Sequence, residues 1–399
     1  MLTKEQLEKY VDALWWGLTT SRTKPYQKGD VIMVRYEVEA LPLAEAVFKR
    51  LIEEGMNPVP RLVLTPEMEK VFYGSGNDSQ LEFITPGDKE FTEGLNGLIV
   101  LLAPSSLTHL AGVDPSRMGK CAVSRKFLRD IMEGREQKGE LGWTLCSYPT
   151  KALAESAGLS MEDFTAQIVK ACYLDEEDPA ACWRGVFEKA GEVKSWLNGL
   201  GIVSYRVVTD DMDLTVKHGE LRQWIGVSGH NIPSFELFIS PDWRGTSGVY
   251  YADQPSFRSG NYVEGVRLVF KDGEATEVSA KEGEEFVRKQ LSMDEGAARL
   301  GEFSLTDRRF SRIDKFMANT LYDENYGGEF GNCHVAVGAS YADTYAGDQE
   351  ELDAKRKEEL GYNTSALHWD LVNTQDKTVY AKLKDGSEVV IYKSGEFQI

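Results

Sequence analysis

His368-Trp369-Asp370 stands near the end of a chain that has only five histidines. Side chains two apart on a β-strand point to the same face, so this imidazole and carboxylate are spaced to reach one metal ion. Such a pair needs partners. Upstream lie His334, Glu324, Glu302 and Glu236, each in a context of Gly, Asn or small residues where the backbone can approach a buried site. The six supply four carboxylates and two imidazoles, enough to hold two divalent ions with positions left for water. A mixed oxygen and nitrogen set suits Zn, Co or Mn.

Each residue also has an ordinary reading. His334 precedes Val335-Ala336-Val337-Gly338, where a lone histidine is usually a hydrogen-bonded core residue, and Glu236 or Glu302 alone could be a surface charge or a helix cap. What raises the metal reading is Glu324, which lies beside an apolar stretch and outside any charge run. Burying an uncompensated carboxylate is costly, and a divalent cation offsets that cost.

Other chemistries find less support. The chain has no GxxxxGK[ST] phosphate loop and no HExxH zinc helix. Gly74-Ser75-Gly76 reads as a turn, and Gly226-Val227-Ser228-Gly229-His230 misses the GxSxG spacing of a nucleophile elbow. Cys333-His334 is a poor thiol and base, because catalytic Cys and His usually meet across a fold and not as sequence neighbours.

With 399 residues the chain is long enough for two or three compact units and a large buried site. A net charge of -19, with Lys and Arg outnumbered 64 to 45 by Asp and Glu, argues against nucleic acid as a partner. Runs such as Glu350-Glu351 and Glu358-Glu359 read as solvated surface. Five cysteines without CxxC spacing suggest a reducing compartment. The polar N-terminus and the lack of a membrane-length apolar run complete the expectation of a cytoplasmic protein with no membrane partner.

The elements that must position the six residues fall into two halves. Thr3 and Gln6 have capping-box spacing before a helix with Leu7, Tyr10, Val11, Leu14 and Trp15 on one face. Strand-like 29–36, a helix opened by Pro42 and ended near Gly55, and strand-like 59–64 form a β-α-β unit. The unalternated run 98–103 suits the middle of a parallel sheet, Asp114-Pro115 opens a long helical stretch, 143–147 is a short strand, and Ser160 and Asp178-Pro179 start further helices. From about Ile202 the texture turns β-rich, with strands predicted at 203–209, 266–270 and 388–392 and hairpin turns at Asp272-Gly273 and Asp385-Gly386. The expected fold is an α/β N-terminal domain with an open parallel sheet over 1–200 and an α+β catalytic, metal-binding domain over 201–399. A helical segment from Asp294 to Gly301 is expected to lead into Glu302.

Four segments occur in order: 229–236 ending Pro233-Ser234-Phe235-Glu236, 294–302 ending Leu300-Gly301-Glu302, 320–325 containing Asp323-Glu324-Asn325, and 363–370 ending His368-Trp369-Asp370. They resemble the motifs of the aminopeptidase T family of metalloaminopeptidases, and Trp143 with Tyr148-Pro149-Thr150 extends the resemblance into the N-terminal half. The resemblance implies a two-metal site with ligands at Glu236, Glu302, Glu324, His334, His368 and Asp370. It also implies an active-site hydroxyl at Tyr341 and a homodimer whose interface helps enclose the site. Two departures from the commoner pattern are a glycine-rich insertion, Tyr326 to Gly331, and a charged stretch, 349–360, expected as a lid or a surface helix.

The sequence is therefore read as a metal-dependent aminopeptidase that hydrolyses N-terminal residues from peptides with a free N-terminus, through water activated by two divalent ions. Glu302 is the candidate proton shuttle or bridging ligand, and Tyr341 would stabilise the tetrahedral intermediate. Two alternatives stay open. One is a carboxylate-pair hydrolase such as a glycosidase, which leaves the histidines unexplained, and the other is an inert metal-binding or peptide-binding protein of the same fold.

Overall fold

The structure is a computed structural model that describes residues 1–258 and 261–399. By contact the chain forms two compact units, Met1–Trp183 with Ser228–Pro233, and Arg184–Val227 with Ser234–Ile399. The chain passes between them inside the helix Pro179–Gly199, and the division expected at 200/201 lies at the end of that helix.

In the first unit the helix Lys4–Thr20 begins with the reciprocal Thr3–Gln6 capping box and buries Tyr10, Val11 and Leu14. Burial of each such side chain stabilises the fold by about 2 kcal/mol. The parallel sheet is built from β1 (Val31–Tyr36), β2 (Asn57–Leu62), β3 (Gly97–Leu102) and β4 (Gly142–Ser147) in the order β2-β1-β3-β4. The long helical stretch expected after Asp114 is two helices, Pro115–Ser124 and Lys126–Gln137, broken at Arg125, whose backbone leaves the helical range. Ser160 caps Met161–Ala171 as its spacing predicts.

The second unit opens with β5 (Ile202–Val208) and β6 (Asp213–Lys217), after which β7 (Asn231–Ile232) joins the first unit's sheet beside β4. There follow β8 (Glu236–Ile239), β9 (Asp242–Ala252), the antiparallel pair β10 (Ser256–Arg258) and β11 (Asn261–Val263), β12 (Val266–Lys271) and β13 (Glu274–Ser279). The last six are β14 (Leu300–Thr306), β15 (Asn332–Gly338), β16 (His368–Asn373), β17 (Thr378–Leu383), β18 (Glu388–Lys393) and β19 (Glu396–Phe397). Eight of these strands form an antiparallel sheet ordered β13-β12-β9-β6-β5-β17-β18-β19, and four form a second, β16-β15-β14-β8. The fold is thus an N-terminal α/β unit with a parallel sheet and a C-terminal unit of antiparallel sheets carrying helices.

The segment Asp294–Gly301 is not helical. Asp294 folds it into a turn by accepting from the Gly296 and Ala366 amides and from the Ser365 hydroxyl, and these local acceptors compete with helical hydrogen bonds. Gly296 packs so closely on the Thr364 carbonyl that a Cβ would not fit. The charged stretch holds the surface helix Ala354–Leu360, whose Leu360 packs with Tyr345, Leu352 and Tyr362.

Candidate metal centre

The small antiparallel sheet places five of the six residues on one face. Asp370 pairs with Ala336 and Ala336 with Glu302, so the two carboxylates flank an alanine whose short side chain leaves room between them. Two positions along, His334 pairs with Ser304, and Thr306 beyond it pairs with Glu236 at the start of β8. His368 opposes Gly338 at the other end of the face. A bulge between Leu300 and Glu302 sets Glu302 on this face, and Gly301 permits it, because a Cβ there would collide with the carbonyls of Gly338 and Ala339.

His334 is fully buried, and its Nε2 lies 3.1 Å from Glu302 Oε1, 3.3 Å from Glu236 Oε2 and 4.0 Å from Asp370 Oδ1. His368 Nε2 is 3.4 Å from Asp370 Oδ1 and 3.7 Å from Glu302 Oε2. His368 Nδ1 lies 2.9 Å from the Ala339 carbonyl, which accepts the Nδ1 proton, so Nε2 is the nitrogen that would give up its proton to bind an ion. Ligand atoms of Glu236, Glu302 and His334 all fall within 4.8 Å of one another, a spacing that suits one ion.

Glu324 is reached from elsewhere. It caps the short helix Thr320–Asp323, and with Asp370 and Val372 it lines a small cavity of about 20 Å³. Tyr341, just past β15, sets its ring against His368 at 4.6 Å in a tilted contact and meets Phe238 edge-on at 5.9 Å. Its backbone amide donates to Ser240 Oγ at 2.8 Å. The structure therefore gathers Glu236, Glu302, His334, His368 and Asp370 by direct contact, with Glu324 and Tyr341 at the margin.

The electrostatics are those of crowded carboxylates. Burial, reinforced by Glu302 and Asp370, pushes Glu236 up to about 8, with His334 opposing. Burial and the other carboxylates likewise push Glu324 well above the usual range. Asp370 goes the other way: burial would raise it, but His368 and His334 together bring it to about 2. Both imidazoles rise to about 9: burial alone would lower them, but Glu302 and Glu236 dominate at His334 and Asp370 and Glu302 at His368. Without a cation, this face relieves its repulsion by holding protons, and a divalent ion fits the donor set because it would replace them.

Three supporting residues had no singled-out role in the sequence. Asn325 is fully buried; its Oδ1 accepts from the amides of Phe235 and Glu236 at 2.5 and 3.0 Å, and its Nδ2 donates to the Leu321 carbonyl at 3.0 Å. Arg258 donates to the His368 carbonyl at 2.9 Å. Tyr250 donates from beneath the sheet to the carbonyls of Cys333 and Leu371. The adjacency of Asn325 to Glu324 was the one local signal. Cys333 is buried and its thiol is pushed up to about 12 by burial, which leaves it inert as a nucleophile.

Residues 3–397 match the family described as thermophilic metalloprotease (M29). The chain belongs to this family. Aminopeptidase T of Thermus aquaticus is 28% identical over 94% of this chain and 93% of its own length, and Aminopeptidase 2 of Geobacillus stearothermophilus is 26% identical over 99% and 98%. The solved structure of wild-type AmpT from Thermus thermophilus superimposes with a TM-score of 0.81 at 23% identity, covering 99% of this chain and 100% of that one, and so shares the fold. As a member of a metalloprotease family, this M29 protein requires a divalent metal, and the cluster on its small sheet has the donors for one.

Proposed function

We propose that this M29 protein is a metal-dependent aminopeptidase that removes N-terminal residues from peptides, with two divalent ions held by Glu236, Glu302, Glu324, His334, His368 and Asp370. The observation that carries the two-ion reading is Glu302, whose Oε1 faces His334 at 3.1 Å while its Oε2 faces His368 at 3.7 Å. One carboxylate that turns each oxygen to a different imidazole is arranged as a shared ligand between two centres. The names of the relatives, Aminopeptidase T and Aminopeptidase 2, support the exopeptidase activity.

Divalent ions in this set supply Lewis acidity toward the scissile carbonyl and lower the pKa of water. The protein's own groups do the rest. With each oxygen turned to a different imidazole, Glu302 would serve as a ligand better than as the proton shuttle. Tyr341 donates its hydroxyl to the developing oxyanion. The substrate's free α-amino group would be recognised at the metal site or by an acidic side chain beside it, which restricts cleavage to the N-terminus.

A homodimer goes with this reading on the family resemblance. A cytoplasmic location goes with five cysteines that lack CxxC spacing. No helix among the described residues is long and apolar enough to cross a membrane.

The test is hydrolysis of aminoacyl-p-nitroanilides before and after chelation, with Zn, Co and Mn restored separately. Turnover should vanish with the metal and return with at least one ion. Activity that survives complete metal removal sinks the proposal, and equal cleavage of N-acetylated substrate sinks its exopeptidase part.

A further inference from the structure

In the first unit the connection from β1 runs to β2 on one side, while β3 and β4 continue the sheet on the other. The crevice outside the carboxyl ends of the strands at such a reversal is where open α/β sheets bind ligands, because the loops there diverge to opposite faces. A cavity of about 350 Å³ opens at this place, lined by Glu37 and Val38 after β1, Leu64 and Thr65 after β2, and Ala103 and His109 after β3. That volume suits a small organic molecule.

The lining decides which kind. Sheets of this type that take nucleotides have a glycine-rich turn after β1 and a helix N-terminus turned to the phosphates. Here the turn reads Glu37-Val38-Glu39-Ala40, and the helix Pro66–Ser75 carries Glu67 and Glu69 in its first turn. Glu37, Glu39 and Glu69 line the cavity against one arginine, Arg35, so an anion would be repelled.

Glu37 is held in place by the Ala103 amide, which donates to its Oε2 at 2.8 Å. Glu69 Oε2 lies 2.7 Å from His109 Nε2. The His109 ring thus fixes Glu69 as the Ala103 amide fixes Glu37, so two held carboxylates line the cavity. Two fixed carboxylates, with Glu39 lining the same cavity, call for a cationic N–H donor.

We propose that this cavity binds a small primary amine, its ammonium group taken by Glu37 and Glu69 and its apolar stem lying against Val38, Val63 and Leu64. None of these residues belongs to the metal centre, so the site is a second one, independent of the aminopeptidase reading.

The experiment is calorimetric titration of the metal-loaded, full-length protein with n-butylamine as its ammonium salt, beside sodium butyrate and n-butanol. Butylammonium should bind, with butyrate silent and butanol weak. Glu37→Gln keeps an oxygen for the Ala103 amide but removes the charge, and it should weaken binding about tenfold, as should Glu69→Gln. Leu64→Trp, which fills the cavity without touching the charges, should abolish it. Turnover of aminoacyl-p-nitroanilides should stay at the wild-type level in all three variants, which separates this site from amine binding at the metal centre. Equal binding of butyrate, or butylammonium binding unchanged in Glu69→Gln and Leu64→Trp, would overturn the proposal.

Discussion

Glu302 Oε1 and His334 Nε2 lie 3.1 Å apart across the β14–β15 ladder, and both side chains are buried. The contact joins a carboxylate that a bulge has rotated onto the sheet face to an imidazole followed by the apolar run Val335-Ala336-Val337. Any change to either residue therefore acts on the whole cluster.

Glu302→Gln keeps the shape of the side chain and removes its charge. We expect kcat for aminoacyl-p-nitroanilides to fall at least about 10²-fold, the scale of losing a group that acts in the reaction, with little change in melting temperature. His368→Ala should behave alike. An active His368→Ala protein would remove that residue from the site.

Metal loading should release protons. His334 and His368 at about 9 and Glu236 at about 8 hold protons at pH 7 in the metal-free protein, whereas ligation needs their deprotonated forms. Affinity should therefore rise as pH increases toward 9. Calorimetry in buffers of different ionisation enthalpy measures the release, and a heat independent of buffer would contradict it.

Asn325 clamps the backbone at Glu236 and reaches Glu324 Oε1 with its Nδ2 at 3.4 Å, so its part is positioning two of the proposed ligands. Asn325→Leu leaves two buried amides unsatisfied and should cost about 1–3 kcal/mol of stability each. It should also weaken metal binding by about 10–100-fold, while Asn325→Asp, which keeps the acceptor, should retain more of that affinity. Equal metal affinity in both variants would deny the clamp a role in the site.

His218 makes a separate prediction about acid stability. Burial lowers it to about 4, and its Nδ1 lies 2.5 Å from the Tyr205 hydroxyl. Because the folded pKa lies below the unfolded value of about 6.5, the unfolded chain binds the extra proton, and stability present above pH 6.5 is lost as pH falls toward 4. The slope contributed is at most about 1.4 kcal/mol per pH unit. Denaturant titrations from pH 7 to 4 should show a shallower loss in His218→Gln than in the wild type.

Much of the first unit was legible because its signals are local. Thr3 with Gln6, Ser160 and Asp178-Pro179 mark helix starts through bonds within one turn, and the run near Ile99 reads as a buried strand from composition alone. The segment Asp294–Gly301 misled for the opposite reason. Its residues suit a helix, but Ala366 and Ser365, far along the chain, supply the donors that hold Asp294 in a turn.

The sequence by itself determined the donor types, their order and the alternation that puts His368 and Asp370 on one face, since period-two geometry belongs to any strand. Only the tertiary structure decided which residues meet. Strand order sets Ala336 between Glu302 and Asp370, the bulge at Gly301 turns Glu302 inward, and Asn325 reaches back to hold Glu236. Those relations depend on register and on contacts between distant segments, which no local pattern encodes.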